Sequence, residues 1–484
     1  MATQNGTTKE PAKRTLIIGK TTEGDAIHTS IIRLTRFSAV FQIYSMDVVM
    51  RTSETLETFS IVDDERVVYS GRAVVQNLIN TGSGLVCEVS LDEGSWRDVD
   101  LARIVPSSSA IDGEYENFVQ RWQKFYRVQS DFKVVVADME NFLVDLRLWL
   151  DQVELKVRSE PMANRLEFEQ RIVQELSKPV IRSIDSFIER FEEIAVKLDP
   201  EQQPAHRHYL QRQLHPLILC SPFAHRTYYK PLGYAGDYEV VAMMLRHPCE
   251  GGSLFAKIIN VWLLSQLPAA GHRNRVAYLV RKLVEETLRV QRQGRAARIF
   301  NLGCGPAAEV RQFLTEYKCA DHADLTLLDF NEETLESLQK TLNEISSKCG
   351  RNTPIHLMKK SVNQLLKESS RFVVKGATGQ YDFIYCAGLF DYLSDQVCRR
   401  LMDVFYEMLA PNGLLLATNV ADDMNSSRPF RYSMEYMLDW NLIYRSGKDF
   451  AALAPEKASP DHVSVVAENA GVNVFLEVRK PDHG

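Results

Sequence analysis

The sequence predicts a multidomain chain with a small N-terminal β-barrel, a central α-helical region and a C-terminal α/β domain. Three changes of pattern along its 484 residues support this division. Short runs rich in β-branched and aromatic residues come first, and apolar residues spaced three and four apart follow them. The last part begins with an apolar strand, a glycine-rich turn and a helix, after which strand and helix patterns alternate. The length suffices for two or three domains.

The first domain is predicted over residues 13–107, after a disordered polar tail at 1–12. Its strand candidates are separated by turn-forming residues such as TGSG at 81–84. These candidates are TLIIG, HTSIIRL, SAVFQIY, RVVYSGRAVVQNLI and GLVCEVSL. Several short strands without intervening helices predict a small barrel or sandwich.

The helical region is predicted over residues 108–290. In NFLVDLRLWL at 141–150 the apolar side chains recur at helical spacing, and the segments 165–176 and 183–198 repeat the pattern. The tyrosine-rich stretch YYKPLGYAGDYE at 228–239 interrupts this run with one proline and two glycines. Those residues predict a loop rather than a continuous helix.

The α/β domain is predicted over residues 291–484. ARIFNLGCGPAAEVRQFL has the order strand, glycine turn and helix, and ADLTLLDF at 323–330 is a second strand. TPIHLMKKSV, YDFIYCAGLF and GLLLATN are further strand candidates. The final stretch HVSVVAENAGVNVFLEVRK predicts a helical piece followed by a closing strand. The alternation predicts a Rossmann-like parallel sheet with helices on both faces.

The composition is that of an ordinary soluble globular protein, with 45% apolar and 25% charged residues. A net charge of −6 argues against a general nucleic-acid binder. No apolar run approaches the roughly 20 residues of a membrane span, and the polar start MATQNGTTKEPAKR lacks the apolar core of a signal peptide. Eight scattered cysteines without a C-x-x-C pair predict reduced thiols. We therefore expect a cytoplasmic protein.

NLGCGPA at 301–307 points most directly to a ligand. Gly303 permits a tight turn, and Gly305 lets the backbone approach a ligand at a helix N-terminus. Asp329 ends the next strand, 24 residues after Gly305, where a carboxylate can accept hydrogen bonds from two ribose hydroxyls. A nicotinamide dinucleotide site is the less favoured alternative, because it would want a glycine where the chain has Ala308.

These two features together resemble motifs I and II of class I S-adenosylmethionine-dependent methyltransferases, over about residues 296–484. The resemblance implies that S-adenosylmethionine is the cofactor and that the loops after the first four strands bind it. Many members carry an aspartate at the position of Ser361. The implied cofactor-binding residues are Asn301, Gly303, Cys304, Gly305, Pro306, Asp329, Phe330, Asn331, Ser361, Val362, Cys386, Ala387 and Gly388.

Methyl transfer is an in-line displacement, so the protein mainly has to position the acceptor and exclude water. We expect O-methylation of a carboxylate on a small or fatty-acid-like metabolite, which needs no general base. One alternative is a hydroxyl or nitrogen acceptor on a specialised metabolite, which needs a base. Another is a non-catalytic, cofactor-sensing regulatory protein. The candidate catalytic residues are Tyr234, Asp237, Tyr238, Asp391 and Tyr392.

The segment 228–239, followed by the glycine loop, also resembles a bacterial family named for extracellular-factor 3-hydroxypalmitic acid methyl ester biosynthesis. Members esterify a 3-hydroxy fatty acid, and the resemblance implies that this segment is a lid or wall of the acceptor site. The barrel resembles the PilZ domain that precedes many members. Around Ser38, Arg36 and Phe41 replace the acid or amide and the glycine of the cyclic di-GMP motif. We therefore expect no cyclic di-GMP binding and a structural or docking role.

No metal site is predicted, because the histidines of the helical region lack a cysteine or carboxylate partner at ligand spacing. These histidines are His206, His208, His215 and His225. Class I methyl transfer also needs no metal. The expected partner is a small-molecule or lipid-like acceptor, without nucleic acid or a membrane span, and the long helical region offers a surface for a homodimer.

Two other groups of residues are candidates for the acceptor site. Arg226, Lys230 and Arg246 can meet a substrate carboxylate or phosphate, with surface solvation as the alternative. The segment 428–446, rich in aromatic residues and arginine, is a candidate second wall, with core packing as the equal alternative. Cys304, inside the glycine loop, is expected to pack there as a small residue.

Overall fold

The structure is a computed structural model. It describes residues 15–44, 48–63, 66–81, 84–97, 115–116, 119–120, 122–159, 161–374, 380–422 and 430–482. The tail expected at 1–12 and the domain boundary expected between 107 and 108 lie outside the described residues. The boundary expected between 290 and 291 falls in the last turn of a helix that ends at Gln291.

The N-terminal strands form a closed barrel, as the sequence predicts. In the described part these strands are β1 (Leu16–Lys20), β2 (Ala26–Leu34), β3 (Ser38–Ile43), β4 (Thr55–Asp63), β5 (Arg66–Ser70), β6 (Ala73–Asn80) and β7 (Leu85–Leu91). Pairing follows the order β1-β2-β3-β7-β6-β4, and β4 pairs back with β1, which closes six strands. β5 extends the sheet from β4. Alternate residues of the strands point inward and form an apolar barrel core.

Two details of the barrel differ from the prediction. The run 66–79, expected as one strand, is divided into β5 and β6 at Gly71, where a Cβ atom would collide with the Ser95 side chain. β4 was not among the predicted strands. Its register with β1 shifts at residues 57–60, and Thr58 has a φ of +51°, so a bulge breaks the alternation that marks a strand in the sequence.

The middle of the chain is helical, as predicted. The helices are α1 (Ser130–Ser159), α2 (Met162–Ala195), α3 (Gln203–Ile218), α4 (Pro222–Tyr229), α5 (Tyr238–Leu245), α6 (Leu254–Ser265) and α7 (Leu267–Gln291). α1 buries an apolar stripe that includes Leu143 and Leu150. The predicted segments 165–176 and 183–198 fall in one helix, α2, which contains Pro179 and ends at Ala195, three residues before the second segment ends.

α7 connects the helical region to the C-terminal sheet. The Tyr278 ring stacks on Phe475 with 3.8 Å between ring centroids, and Glu286 pairs with Arg479 at 2.6 Å. Within the described residues, no single helix is long and apolar enough to cross a membrane. α6 and α7, bent by 58° at the break between them, reach that length and apolarity only when counted as a pair.

The C-terminal part is built on a mixed sheet, and seven of its strands lie in the described residues. They are β8 (Ala297–Leu302), β9 (Ala323–Asp329), β10 (Ile355–Lys359), β11 (Tyr381–Cys386), β12 (Leu409–Val420), β13 (Val463–Ala467) and β14 (Asn473–Arg479). Their order is β10-β9-β8-β11-β12-β14-β13. The five strands β10, β9, β8, β11 and β12 are parallel to one another. β14 is antiparallel to both of its neighbours, β12 and β13. The chain order reverses between β8 and β11, which makes this a topological switch point.

The remaining helices are α8 (Ala308–Glu316), α9 (Glu332–Cys349), α10 (Val362–Val374), α11 (Asp395–Met408), α12 (Arg431–Leu438) and α13 (Gly447–Ala451). α12 packs on α2, α3 and α4 of the helical region, and the others lie beside the sheet. Short 3₁₀ or π turns cover Glu93–Ser95, Trp122–Tyr126, Lys318–His322, Phe390–Tyr392 and Pro460–His462. The alternation of strand and helix confirms the predicted α/β architecture.

The C-terminal end corrects one prediction. Residues 463–467, expected in a helical piece, form strand β13, and only a short turn separates β13 from β14. The two strands pair in an antiparallel hairpin, for example Val465 with Leu476. The expectation of a helix was wrong because VSVVA is rich in β-branched residues, which favour a strand that has a partner.

Candidate functional site

The main cavity opens at the switch point of the sheet, beside the C-terminal ends of β8, β9 and β11. Its empty volume is about 1560 Å³, including the part open to solvent. Open α/β sheets bind ligands at this position, because the loops on the two sides of the switch diverge there. The wall also includes parts of α5 and α7, together with Arg51 and Thr52 from the barrel.

The glycine loop after β8 lines this cavity. Gly303 and Gly305 have φ values of +69° and +50°, a left-handed backbone that favours glycine. The N–H groups of Gly303 and Cys304 donate to the Leu328 carbonyl oxygen at 2.8 and 2.9 Å, which fixes the loop against β9. Apart from Gly305 and its two chain neighbours, no described residue has an atom within 4 Å of the position that a Gly305 Cβ would take. A ligand can therefore approach this backbone closely.

Asp329 ends β9 next to the glycine loop. Its Oδ2 accepts the Gly305 N–H at 3.0 Å, and its Oδ1 accepts the Asn331 N–H at 3.0 Å. Burial raises the pKa of the Asp329 carboxyl, and the two backbone hydrogen bonds oppose that rise. Each carboxylate oxygen can accept a further hydrogen bond. Asp329 can thus bind ligand hydroxyls without releasing the loop.

Ten of the thirteen residues predicted to bind a cofactor line the cavity. The other three have different surroundings. Asn331 caps α9 by accepting the Thr334 N–H at 2.9 Å. Ser361 and Gln364 exchange two hydrogen bonds at the start of α10, and Cys386 is buried at the end of β11. The ten lining residues are Asn301, Gly303, Cys304, Gly305, Pro306, Asp329, Phe330, Val362, Ala387 and Gly388.

The segment 228–239 borders the cavity between α4 and α5. Tyr234 and Tyr238 line the cavity, and the Tyr234 ring centroid lies 5.1 Å from that of Phe330. Burial raises the pKa of Tyr234, so its phenol stays protonated. The Tyr238 hydroxyl donates to Glu333 at 2.9 Å at the rim. These two tyrosines lie beside the loop that follows β9.

Asp237 is the member of this segment whose carboxylate has a structural role. It caps the N-terminus of α5, with Oδ1 accepting the Glu239 and Val240 N–H groups at 3.0 Å. Both carboxylate oxygens also accept from Arg226 Nε at 2.9 Å. The carboxylate therefore holds α5 in place.

Asp391 and Tyr392 line the wall that follows β11. Asp391 Oδ1 accepts the Val420 N–H at 2.7 Å, and its Oδ2 lies 3.8 Å from Arg275 Nη1. Burial raises the pKa of Asp391, and the charge of Arg275 opposes the rise. Tyr392 Oη accepts the Trp440 Nε1–H at 2.9 Å, and burial raises its pKa, which keeps the phenol protonated.

Arg275 of α7 is a cavity residue that the sequence pattern did not single out. Its Nη2 donates to His272 Nδ1 at 2.7 Å. Burial and the nearby arginines lower the pKa of His272 well below its usual range, so this imidazole is neutral. A Cβ at Gly388 would lie 2.8 Å from Arg275 Nη1. A partly buried cation therefore faces the cavity beside Gly388 and Asp391.

Arg51, which belongs to the barrel, lines the same cavity. Its guanidinium lies 4.4 Å from the Phe330 ring centroid and pairs with Glu23. The side chain is 5% exposed. The next residue, Thr52, donates its N–H to the Tyr392 carbonyl oxygen at 3.1 Å. The sequence pattern did not mark this segment, because contacts between distant parts of a chain leave no local periodicity.

Glu309 is a further carboxylate that the sequence pattern did not reveal. It lies in the first turn of α8 and lines the cavity. It accepts the Tyr385 hydroxyl at 2.8 Å and Asn301 Nδ2 at 3.3 Å. Burial raises the pKa of Glu309, and these contacts keep the carboxyl beside the glycine loop.

Much of the remaining wall is apolar. It comes from α5, α7, α12 and the segment 440–444, so part of the predicted second wall at 428–446 does line the cavity. Residues 428 and 429 of that segment lie outside the described residues. The apolar lining residues are Val241, Met244, Val276, Leu279, Met434, Trp440 and Leu442.

The three cations predicted to meet a substrate have other partners. Arg226 pairs with Asp237, and Arg246 pairs with Glu239 at 2.7 Å. Lys230 is buried and donates to the Leu438 carbonyl oxygen at 3.3 Å. Across the part of the chain that the structure describes, no group of three or more His, Cys, Asp or Glu side chains is arranged to hold a metal ion.

Comparison with known proteins gives partial likenesses. No protein-family model matches the chain. A curated protein of Rickettsia prowazekii (strain Madrid E), uncharacterized protein RP028, is 23% identical over 141 residues. The aligned part is 29% of this chain and 50% of that relative, so the chain spans half the length of the relative it matches.

Several solved structures also resemble the chain. A possible exported protein from Bordetella parapertussis is 19% identical, with a TM-score of 0.40 and coverage of 53% of this chain and 86% of that one. Magnesium protoporphyrin IX methyltransferase from Synechocystis PCC 6803 with bound SAH is 12% identical, with a TM-score of 0.31 and coverage of 45% and 86%. An O-methyltransferase family protein from Burkholderia thailandensis is 15% identical, with a TM-score of 0.32 and coverage of 60% and 75%.

Proposed function

We propose that the protein is an S-adenosylmethionine-dependent methyltransferase and that it methylates a carboxylate oxygen of a small or fatty-acid-like metabolite. One observation carries the proposal. The Gly305 N–H and the Asp329 carboxylate meet at 3.0 Å at the switch point of the sheet, beside space for a ligand. A closely approachable backbone and an acceptor for ribose hydroxyls are the two features that adenosine binding needs there.

A nicotinamide dinucleotide also contains adenosine. The residue that follows the glycine loop distinguishes a dinucleotide site from an S-adenosylmethionine site. Ala308 stands where the dinucleotide motif has the glycine that permits close helix–strand packing. The apolar cavity continues past the glycine loop to Arg275, with room for an acceptor beside the cofactor. These features favour S-adenosylmethionine.

The residues present fit this cofactor. When bound, it supplies an electrophilic methyl group on a sulfonium centre. We assign the ribose hydroxyls to Asp329 and the ring contact of the adenine to Phe330. Glu309 is the candidate partner of the cofactor's ammonium group, because it is a carboxylate at the glycine loop. Gly388 would form part of the wall beside the bound cofactor.

The acceptor half of the cavity suits a carboxylate with an apolar tail. Arg275 supplies a charge-assisted partner for the carboxylate, and the apolar wall accommodates the tail. A carboxylate is already deprotonated near neutral pH, so it attacks without a general base. The protonated phenols of Tyr234 and Tyr392 are candidate donors that orient it for attack.

The alternative acceptor, a hydroxyl or an amine, would use Asp391 as a base, because its raised pKa suits proton abstraction. The pH dependence of turnover separates the two. A carboxylate acceptor gives a rate that is flat around neutral pH, whereas a hydroxyl or amine gives a rate that rises with the deprotonation of a base. A purely regulatory, cofactor-sensing protein gives cofactor binding without turnover.

For the whole chain we propose a PilZ-like barrel at 13–107, a helical cap at 108–290 and a methyltransferase domain at 291–484. The barrel acts as a docking module that does not bind cyclic di-GMP. The Thr55 N–H, which donates to the Gly233 carbonyl oxygen at 2.7 Å, supports the docking role, as does Arg51 in the cavity wall.

The proposed reaction is tested by incubating the protein with methyl-labelled S-adenosylmethionine and a metabolite extract, followed by mass spectrometry. We expect label in a carboxylic acid, recovered as its methyl ester and released by mild alkali. Label that resists alkali would indicate a nitrogen or ether oxygen acceptor. No labelled product in any extract, together with intact cofactor binding, would favour the regulatory alternative.

A further inference from the structure

A second cavity lies where the barrel, α3 and the segment 439–444 meet. Its empty volume is about 1380 Å³, including the part open to solvent. We call it the junction chamber. It is defined by the lining residues Ser38, Thr52, Gln76, Ser90, Arg207, Gln211, Asn441, Leu442 and Tyr444, among others. In contrast to the main cavity, most of these residues are polar.

Several buried polar atoms around the junction chamber lack a hydrogen-bond partner among the described residues. Five of them belong to lining residues that form no ion pair: Thr52 Oγ1, Gln76 Oε1, Arg207 Nε, Asn441 Nδ2 and Tyr444 Oη. A sixth, His208 Nε2, lies 2.7 Å from the Glu93 carboxylate. A buried polar group without a partner is unfavourable, and native proteins contain few. Five such atoms around one cavity indicate that a polar ligand completes their hydrogen bonding.

Arg207 determines the charge that this ligand would carry. Its side chain lies on α3, is 8% exposed and stacks 5.4 Å from the Tyr436 ring centroid. Within the described residues it forms no hydrogen bond or ion pair. The nearby Asp439 carboxylate is occupied, because it accepts from Arg72 at 3.1 Å and from Gln211 at 2.9 Å. The buried Arg207 guanidinium is thus near the Asp439 charge but is hydrogen-bonded to no described carboxylate.

The other carboxylates of the chamber are also occupied. Glu88 pairs with Arg33 at 3.0 Å, and Glu435 pairs with Arg431 at 2.9 Å. Asp422, the third lining carboxylate, has a partner as well. Among the described lining residues, Arg207 is therefore the cation that no hydrogen-bonded carboxylate neutralises.

A guanidinium pairs best with an oxyanion that accepts two of its N–H groups. Asn441 Nδ2 and the Tyr444 hydroxyl add neutral donors, and Gln76 Oε1 adds an acceptor for a hydroxyl. We propose that the junction chamber is a second ligand site for a small molecule with a carboxylate or phosphate group, and that Arg207 is its charge partner. This inference does not rest on the proposed methyltransferase function.

The junction chamber borders the main cavity. Thr52, Leu442 and Tyr444 line both. A ligand in the chamber would therefore contact side chains that also face the proposed cofactor and acceptor. Its position makes it a candidate effector site rather than a part of the glycine-loop site.

Titration calorimetry on the full chain, without S-adenosylmethionine, tests this site. Inorganic pyrophosphate serves as the phosphate probe and citrate as the carboxylate probe, so the two titrations distinguish the two chemistries. We expect saturable binding of at least one. Arg207→Met should weaken it about tenfold or more, the loss expected when a charged hydrogen-bonding partner is removed. Arg212→Met, an exposed position on the same helix, is the matched control and should bind like the wild type.

A wild-type protein that binds neither probe overturns the proposal, as does an Arg207→Met variant with unchanged affinity. Circular dichroism checks the fold of each variant. Where Arg207→Met does not fold, Arg207→Lys replaces it, because lysine keeps the charge and loses the two-pronged geometry. A weaker affinity of Arg207→Lys supports the site, and an unchanged affinity contradicts it.

Discussion

At the scale of residues, the site depends on how three backbone and side-chain groups hold one another. Gly303 turns the chain back, Gly305 donates to Asp329, and Asp329 keeps capacity for a ligand. None of the three would suffice alone. A glycine turn without the carboxylate occurs in many loops, and a strand-ending carboxylate without the turn has no closely approachable backbone beside it.

Gly305→Ala tests whether close approach to this backbone matters. Alanine is strained at a φ of +50° and should lower the free energy of unfolding by about 1 kcal/mol. Its methyl group would also occupy the space kept for the ligand, so S-adenosylmethionine affinity should fall about tenfold or more by calorimetry. Gly350→Ala is the matched control, with a φ of +62° and open space around it at the end of α9. Equal S-adenosylmethionine affinities in the two variants would show that the glycine loop does not contribute to cofactor binding.

Arg275→Met tests the carboxylate partner. The substitution keeps an unbranched apolar stem and removes the charge beside Asp391. The KM for the acceptor found by mass spectrometry should rise about tenfold, the value of one charged hydrogen bond, while the cofactor Kd stays within about twofold. Arg281→Met, on the exposed side of the same helix, should leave both constants unchanged. A KM that does not move would contradict the role of Arg275.

At the scale of elements, the segment 228–239 joins the parts of the chain. Gly233 accepts the Thr55 N–H from the barrel, and the Tyr228 carbonyl oxygen accepts from Arg72 at 2.8 Å. A Cβ at Gly236 would lie 2.8 Å from Tyr392 Oη. The segment thus contacts the barrel on one side and the wall after β11 on the other. Its two glycines lie at these contacts, where a side chain would collide with the neighbouring residues.

The barrel's contribution to the main cavity is tested by removing Arg51 together with its ion-pair partner. Arg51→Met/Glu23→Gln removes both partners of the ion pair, and the buried Glu54 carboxylate keeps the hydrogen bonds from the Thr22 and Arg51 backbone N–H groups, so we expect the variant to fold. Loss of the contact with Phe330 should weaken S-adenosylmethionine binding about fivefold, equivalent to about 1 kcal/mol. Arg33→Met/Glu88→Gln removes another ion pair of the barrel, away from the cavity, as the control. Equal S-adenosylmethionine affinities in both double variants would show that the barrel lies beside the main cavity without contributing to cofactor binding.

The elements that the sequence predicted best are those with a local signal. NLGCGPA and LTLLD were placed correctly at the ends of β8 and β9, because a glycine turn and an apolar strand are read from neighbouring residues. β4 was missed because a bulge breaks its alternation where it pairs with β1, and β13 was taken for helix although its β-branched residues favour the hairpin that it forms with β14. Arg51 and Arg275 had no signal, since only tertiary packing brings them to the cavity.

At the scale of the molecule, the junction between the three parts places three cations around one buried carboxylate. Arg72, Arg207 and Lys230 surround the single carboxylate of Asp439, whose pKa these cations hold below its usual value against the effect of burial. Burial, with the charge of Arg72, lowers the pKa of Lys230 to about 7. The protonation state of Lys230 is therefore linked to the free energy of unfolding.

Lys230→Met should flatten the pH dependence of stability. The folded protein releases this proton near pH 7, whereas an unfolded lysine keeps it to about pH 10.4. Between these values the unfolded state binds more protons, so this group makes stability rise with pH by at most about 1.4 kcal/mol per unit. Below pH 7 it adds no slope. Denaturant unfolding at pH 7 to 10 measures the effect, with exposed Lys348→Met as the control. Parallel curves for wild type and Lys230→Met would contradict it.

The central claim is that Asp329 and the glycine loop bind S-adenosylmethionine, and calorimetry on wild type and Asp329→Ala tests it most directly. Asp324→Ala, on the same strand, controls for the loss of a carboxylate elsewhere on β9. We predict saturable binding to the wild type and to Asp324→Ala, and a loss of about twentyfold or more in Asp329→Ala, as expected for hydrogen bonds to a charged group. Wild-type protein that does not bind the cofactor, or an Asp329→Ala variant that binds it equally well, would contradict the account.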